Sequence, residues 1–329
     1  MNQENVPPLQ RVRNWLGLKR RPLPVLEILP IKKPLDRHPN PFEYSVMPIP
    51  LERALKRPEF DTALSTIQDE TNTLHSITVL APPRSGGSSF AAQIAESLQK
   101  THTNLKRLTT PFFAREVTLQ NLQDIFQEEL TDAKIQSSDS VCIVFEEIER
   151  TDPTITKAML NCVSEYVKTH PNSYLIVVSR NQPTQNISDS MPPKKIQIGL
   201  VENELIKNFI KSRLPQLPID FEDYIVAQSG GHIGLAQRLG STTFDYLEAN
   251  PRGSLLELQQ NLSDSGDDLF TLFAEYFTRA NRKELIEKWF KDIQSLSSFD
   301  QNRFPRPTST LFKEWVEKKL EPAQQTQDS

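Results

Sequence analysis

From residue 51 onward, short apolar runs alternate with longer stretches in which apolar positions recur every three or four residues. The runs SITVL (76–80), LKRL (105–108), SVCIVF (140–145), SYLIVV (173–178) and KIQIGL (195–200) are short and largely apolar, and each predicts a strand. Helical spacing fills 88–100, 119–130 and 154–168, and a further helix holding Leu51, Leu55 and 60–67 leads into the first strand. Short apolar strands that alternate with helices imply a parallel sheet covered on both faces. Their alternation with helices predicts an α/β fold, a doubly wound five-stranded parallel sheet over 51–200.

Past the fifth strand the pattern becomes wholly helical. ENELIKNFIKSRL puts Leu205, Phe209 and Ile210 on one face, DFEDYIVAQ does so with Phe221, Tyr224 and Ile225, and IGLAQRLGSTTFDYLEA with Leu235, Leu239 and Phe244. A small helical lid is expected over 201–250. Helical spacing then runs through DDLFTLFAEYFTRANRKELIEKWFKDI and TSTLFKEWVEKKL, a C-terminal helical region over 251–320. Its aromatics, from Phe270, Phe273, Tyr276 and Phe277 to Trp289, Phe290, Phe312 and Trp315, are expected to pack between helices, with a partner's surface as the alternative.

Residues 1–50 read as a basic arm, because prolines recurring from Pro7 to Pro50 forbid a long helix. Within it, LQRVRNWLGLKRR sets Leu9, Val12, Trp15 and Leu16 on one face, bordered by Arg11, Arg13, Lys19, Arg20 and Arg21. Such a segment packs on its own domain or lies against a partner or a membrane surface. The polar tail, 321–329, is expected to be disordered.

Composition narrows the classes. The chain has 329 residues, 37% hydrophobic, and a net charge of −4, so it has no overall pull toward nucleic acid or anionic lipid. Cys142 and Cys162 suit core positions in a reducing compartment, and no leader or membrane-length apolar span is apparent, which gives a cytoplasmic expectation. The histidines at 38, 75, 102, 170 and 232 lack ligand spacing, so no zinc site is expected.

The chemistry concentrates in VLAPPRSGGSSFAAQIAESL (79–98), a strand, a turn and a helix start. Set against the phosphate-binding pattern G-x-x-x-x-G-K-[ST], Ala81 stands for the first glycine, Gly86 for the second, Gly87 for the lysine and Ser88 for the hydroxyl that binds Mg²⁺. The backbone part survives: Ser85, Gly86 and Gly87 lead into a helix N-terminus whose N–H groups favour an anion, with Ser88 and Ser89 as further donors. The cation is lost. A charge-assisted contact contributes about 1.5 to 3 kcal/mol. Arg84 either replaces it or is a solvated loop residue. About 60 residues on, SVCIVFEEIER ends its strand in Glu146 and Glu147, where a metal ligand and a water-activating base would stand, the alternative being two solvated carboxylates.

In this order, with LIVVSR closing strand 4 and SGGHIGLAQRL in the helical part, the chain resembles the AAA+ and STAND class of P-loop ATPases, near the origin-recognition-like branch. The resemblance spans residues 50–250. It implies that Ser179, followed by Arg180, is the polar sensor at the end of strand 4, and that Gly230, Gly231 and His232 open a lid helix with Ile233 where proline is usual. Arg238 lies too late to match the family's second sensor. The box that precedes strand 1 has only an echo in KRPEF (56–60).

Three readings follow. The first is a degenerate module that binds nucleotide weakly or not at all and serves as a regulatory or assembly subunit, with a protein partner or further copies of itself. The second is an ATPase with an unconventional loop: ATP held by Arg84, Ser85, Gly86, Gly87, Ser88, Ser89, Ser179 and Arg180, Mg²⁺ by Ser88 and Glu146, and Glu147 as base. In the third, a DNA-associated loader, nucleic acid meets the basic arm and the C-terminal helices. The first is preferred, and with it the absence of hydrolysis.

Overall fold

The computed structural model describes residues 40 and 42 and residues 55–320, apart from 73, 103, 111–116, 137–138, 147, 149–151, 171, 184 and 279. The amphipathic part of the arm, Leu51, Glu147 and the tail lie outside the described residues.

Five strands, β1 (Ser76–Leu80), β2 (Leu105–Thr110), β3 (Ser140–Phe145), β4 (Tyr174–Ser179) and β5 (Lys195–Gln197), form one sheet in the order β2-β3-β4-β1-β5, each pairing parallel. Every residue of β1 and β4 is buried, the polar Ser76, Thr78 and Ser179 included, as expected of strands covered on both faces. Strand period divides the side chains between two cores. Ile77, Val79, Cys142, Val144, Ile176 and Val178 meet α1 (Glu59–Gln68) and α2 (Gly87–Thr101) on one face. Ile143, Phe145, Leu175 and Val177 meet α3 (Leu122–Asp132) and α4 (Pro153–Thr169) on the other. Each such side chain contributes roughly 1.5 to 3 kcal/mol by leaving water.

Boundaries differ from expectation where the local rules are overridden. α1 starts only at Glu59, with Pro58 at its N-cap; Leu55 is outside the helix, because a proline disfavours helical backbone in the residue before it. β2 continues to Thr110, paired with Phe145. β5 stops at Gln197, although the Ile198 N–H still donates to the Leu80 carbonyl at 2.9 Å.

The lid helices α5 (Asn203–Arg213), α6 (Ile219–Ser229) and α7 (Ile233–Ala249) follow. Beyond them come α8 (Leu255–Asp264), α9 (Ala280–Asp292) and α10 (Thr310–Leu320). The long helix expected from residue 267 is broken into short turns at Gly266–Leu269, Thr271–Phe273 and Glu275–Thr278. Phe270, Phe273 and Tyr276 recur every third residue, a spacing that the three-residue turn of a 3₁₀ helix aligns on one side. All three are buried, and Phe273 lies 4.6 Å from Phe312, ring centre to ring centre. One apolar core runs through α5–α7 and the helices after Pro251. No described helix is long and apolar enough to cross a membrane, both cysteines are free, and no metal-holding cluster occurs among the described residues.

Candidate functional site

β1 delivers the loop of residues 81–86 to the C-terminal edge of the sheet, where Leu80 pairs with Ser179 on one side and Gln197 on the other. The Ser85 N–H closes a turn on the Pro82 carbonyl at 3.0 Å. Arg84 (φ 63°) and Gly86 (φ 90°) are both left-handed, which glycine adopts freely and arginine does not. Gly86 is the N-cap of α2 and brings no side-chain cap, so the first turn, Gly87 to Ser89, presents the positive end of the helix at the sheet edge.

Gly87, in the lysine's position, is hemmed in. A Cβ there would stand 2.5 Å from the Ala81 Cβ and 3.0 Å from Val178 Cγ1. Ala81 is the residue that replaces the pattern's first glycine, so its methyl fills the space a side chain at 87 needs. The site does not fit the lysine of a Walker-type triphosphate cradle.

The other expected residues divide. Ser88 and Ser89 are half-buried in the helix's first turn, and Arg84 is exposed. Ser179 is buried, and its hydroxyl donates to the Asn181 carbonyl at 2.6 Å, turned along its own chain. Asn181 is held in turn: Arg303 Nη2 donates to its Oδ1 at 3.0 Å, while Arg303 Nε pairs with Asp300 at 2.7 Å. Glu146 and Arg180 are half-buried at the same sheet edge, Glu146 just past β3, which β4 separates from β1. Arg238 donates to the Asp268 carbonyl at 2.9 Å, tying the lid to the C-terminal helices.

A cation that sequence reasoning passed over lies beneath the loop. Arg57, from the KRPEF stretch, is 4% exposed; its Nη1 donates to the Gly199 carbonyl at 2.9 Å and its Nη2 to the Ser85 carbonyl. Burial lowers its pKa to about 10, against the opposing pull of Glu59, so the guanidinium stays charged at neutral pH. The arginine is visible in the sequence, but nothing there says that it turns inward.

The lid closes on this loop from the other side. Gly230 (φ 52°) caps α6, and His232 caps α7, accepting the Leu235 N–H on Nδ1 at 3.2 Å. That bond leaves the proton on Nε2. Burial, then the Arg57 charge, pushes the imidazole down to about 4, and the Pro83 carbonyl acts in the opposite sense without closing a hydrogen bond. Ile233, where proline is usual, puts Cγ2 3.8 Å from the Cβ position of Gly86, and the Cβ position of Gly234 lies 2.8 Å from the Arg84 carbonyl. His232 Nε2 and the Ser85 hydroxyl are both buried without a hydrogen-bond partner.

A parallel sheet in this order, a glycine-capped helix leaving β1 and a helical lid over the loop are the fold of the AAA+ P-loop ATPases. Among solved structures the chain is similar to Cdc6p from Pyrobaculum aerophilum, with 13% identity and a TM-score of 0.51 over 85% of this chain and 89% of that one. It is also similar to domain III of the replication initiation protein DnaA from Thermotoga maritima, with 12% identity and a TM-score of 0.47 over 65% of this chain and 95% of that one. A point variant of RuvB from Thermotoga maritima aligns with 14% identity and a TM-score of 0.49 over 72% of this chain and 76% of that one. Neither a protein-family model nor a curated protein matches the chain.

Proposed function

We propose that this chain is a degenerate module of the AAA+ and STAND kind, with weak or absent nucleotide hydrolysis, acting as a regulatory or assembly subunit of a larger complex. The observation that carries the reading is the packing at Gly87, where Ala81 and Val178 occupy the space of the missing lysine. Phosphoryl transfer gathers charge on the transferred group, and helix N–H groups without the lysine offset only part of it. The commitment of the Ser179 hydroxyl to Asn181 adds support, since a sensor must be free to meet a phosphate. In this reading 51–200 is the ATPase-like body, 201–250 its lid and 251–320 a helical region, working in the cytoplasm beside a protein partner or further copies.

A second reading, nucleotide binding without a lysine, is favoured by Arg57 and by the unpartnered Ser85 hydroxyl and His232 Nε2 near the same loop. In it Ser88 and Glu146 would hold Mg²⁺ and Glu147 would be the base. A DNA-associated role has less support: basic residues of α9 and α10 are paired with acids, Lys288 with Glu284 at 2.7 Å and Lys319 with Asp267 at 2.8 Å.

The deciding experiment titrates the purified full chain with ATP, with and without Mg²⁺, and measures phosphate release. No heat of binding and no release are expected, together with co-purification in a larger assembly. Saturable Mg-ATP binding accompanied by phosphate release would favour the second reading, and turnover near about one per second would end the first.

A further inference from the structure

Two residues ahead of the sheet, Asn40 and Phe42, are fixed on the lid, far in sequence from what they touch. Phe42 is 1% exposed within the apolar core of the lid, its ring 6.1 Å from that of Phe209 on α5. The floor beneath it is Gly240: a Cβ there would stand 2.7 Å from the ring. After proline, glycine is the least favourable residue inside a helix, and Gly240 sits in the middle of α7, where its one evident use is to admit the ring. The Arg213 guanidinium lies 3.9 Å from the Phe209 ring centre and 5.7 Å from that of Phe42.

Asn40 supplies the polar half. Its Nδ2 donates to Ser241 Oγ at 3.0 Å, to the Ser241 carbonyl at 3.3 Å and to Asp245 Oδ1 at 3.0 Å. Its Oδ1 accepts the Phe42 N–H at 2.9 Å, an Asx turn that aims the ring inward. Both ends of the amide are therefore used, the donor reading the lid and the acceptor shaping the turn. An aspartate at 40 could not donate, and it would face Asp245 with like charge.

We infer that α5 and α7 form a peptide-recognition pocket for a turn of the form Asn-x-Phe, and that its occupant is this chain's own Asn40 and Phe42, which latch the arm to the lid. The pocket has a shaped apolar floor and a rim of defined polarity, and each matches one side chain of the segment. The inference is independent of whether the loop after β1 binds nucleotide.

The test empties the pocket in the full chain. A labelled peptide HPNPFEYS, residues 38–45, is expected to bind the Phe42→Ala chain at least about 100-fold more tightly than the wild-type chain, whose tethered arm already fills the site at high effective concentration. Replacing the peptide's asparagine by aspartate, or its phenylalanine by alanine, should weaken binding by at least about tenfold. Adding Gly240→Ala to the Phe42→Ala chain should do the same. Equal binding to wild-type and Phe42→Ala chains, or none to a folded Phe42→Ala chain, overturns the pocket. Should Phe42→Ala fail to fold, Gly240→Ala alone, which raises helix propensity, carries the test. Amide exchange in the peptide containing Phe42 should then speed up at least about tenfold while α6 stays protected; unchanged exchange overturns the latch. A wild-type dimer that Gly240→Ala dissociates would overturn the assignment to the chain's own arm.

Discussion

The Ala81 methyl and the missing side chain of Gly87 compete for one space, since a Cβ on Gly87 would stand 2.5 Å from that of Ala81. Gly87→Lys alone is expected to destabilise the chain by about 1 to 3 kcal/mol, the usual penalty for overpacking. Ala81→Gly should recover part of this when combined with Gly87→Lys, although alone it removes a buried methyl and destabilises. A double-mutant cycle by urea unfolding should therefore return a coupling of about 1 kcal/mol or more between the two sites. If cation loss is what disabled the loop, only the double variant should gain ATP affinity, by roughly ten- to a hundredfold. Additive stabilities would mean that the two positions do not share the space.

Arg57 joins the loop after β1 to the exit of β5 through the Ser85 and Gly199 carbonyls. Arg57→Met keeps the bulk but leaves both carbonyls without that donor, each worth about 1 to 3 kcal/mol if it stays buried and unsatisfied. Relief of the buried charge offsets part of this, so the expected net loss is about 2 kcal/mol. Arg57→Lys should recover only part, because an ammonium lacks the planar fork that spans two acceptors. Equilibrium unfolding checks both, and because the group is buried the effect should change little between low and high salt.

Much of this geometry was legible beforehand, and the reason is local. The run 141–145 is apolar throughout because both faces of β3 are covered, so the strand is legible from the sequence alone. The helix start at Gly87 follows from a glycine pair between a strand and a helical period. What escaped depends on partners distant in the chain. Arg57 is 28 residues from Ser85 and 142 from Gly199, and a lone arginine carries no sign of turning inward. Pro58 did announce where α1 begins, but the apolar spacing of Leu51 and Leu55 outweighed it. The competition between Ala81 and Gly87 is invisible in a motif comparison, which scores the two positions separately.

Arg303 holds the end of β4 from the C-terminal helices, through Asn181 and back to Asp300. Arg303→Ala should cost about 1 to 2 kcal/mol and loosen the segment after Ser179. Amide exchange over residues 179–183 should rise more than over α4. Asp300→Asn, which keeps a hydrogen-bond acceptor for Arg303, should have the smaller effect. Unchanged exchange at 179–183 in Arg303→Ala would separate the C-terminal helices from the segment after β4.

His232 makes stability depend on pH in a window set by its own shift. Its folded pKa is about 4, against an ordinary value of 6.5, because the buried imidazole next to Arg57 resists protonation. Well above pH 6.5 the ring is neutral whether the chain is folded or not, and it adds no pH dependence. As pH falls below 6.5 the unfolded chain takes up a proton that the folded chain refuses until about pH 4, so stability drops across that interval. Between about pH 7 and pH 5 this amounts to about 2 kcal/mol. Carboxylates held low in the folded state, such as Asp152 and Asp267, lose their contribution only nearer their ordinary value of 3.8, mostly below this window. His232→Asn can still cap α7 and does not titrate. Its unfolding free energy should therefore fall between about pH 7 and pH 5 by about 2 kcal/mol less than that of the wild-type chain. Parallel pH profiles for the two chains would mean that His232 titrates near its ordinary value, and that the contact between lid and loop admits water.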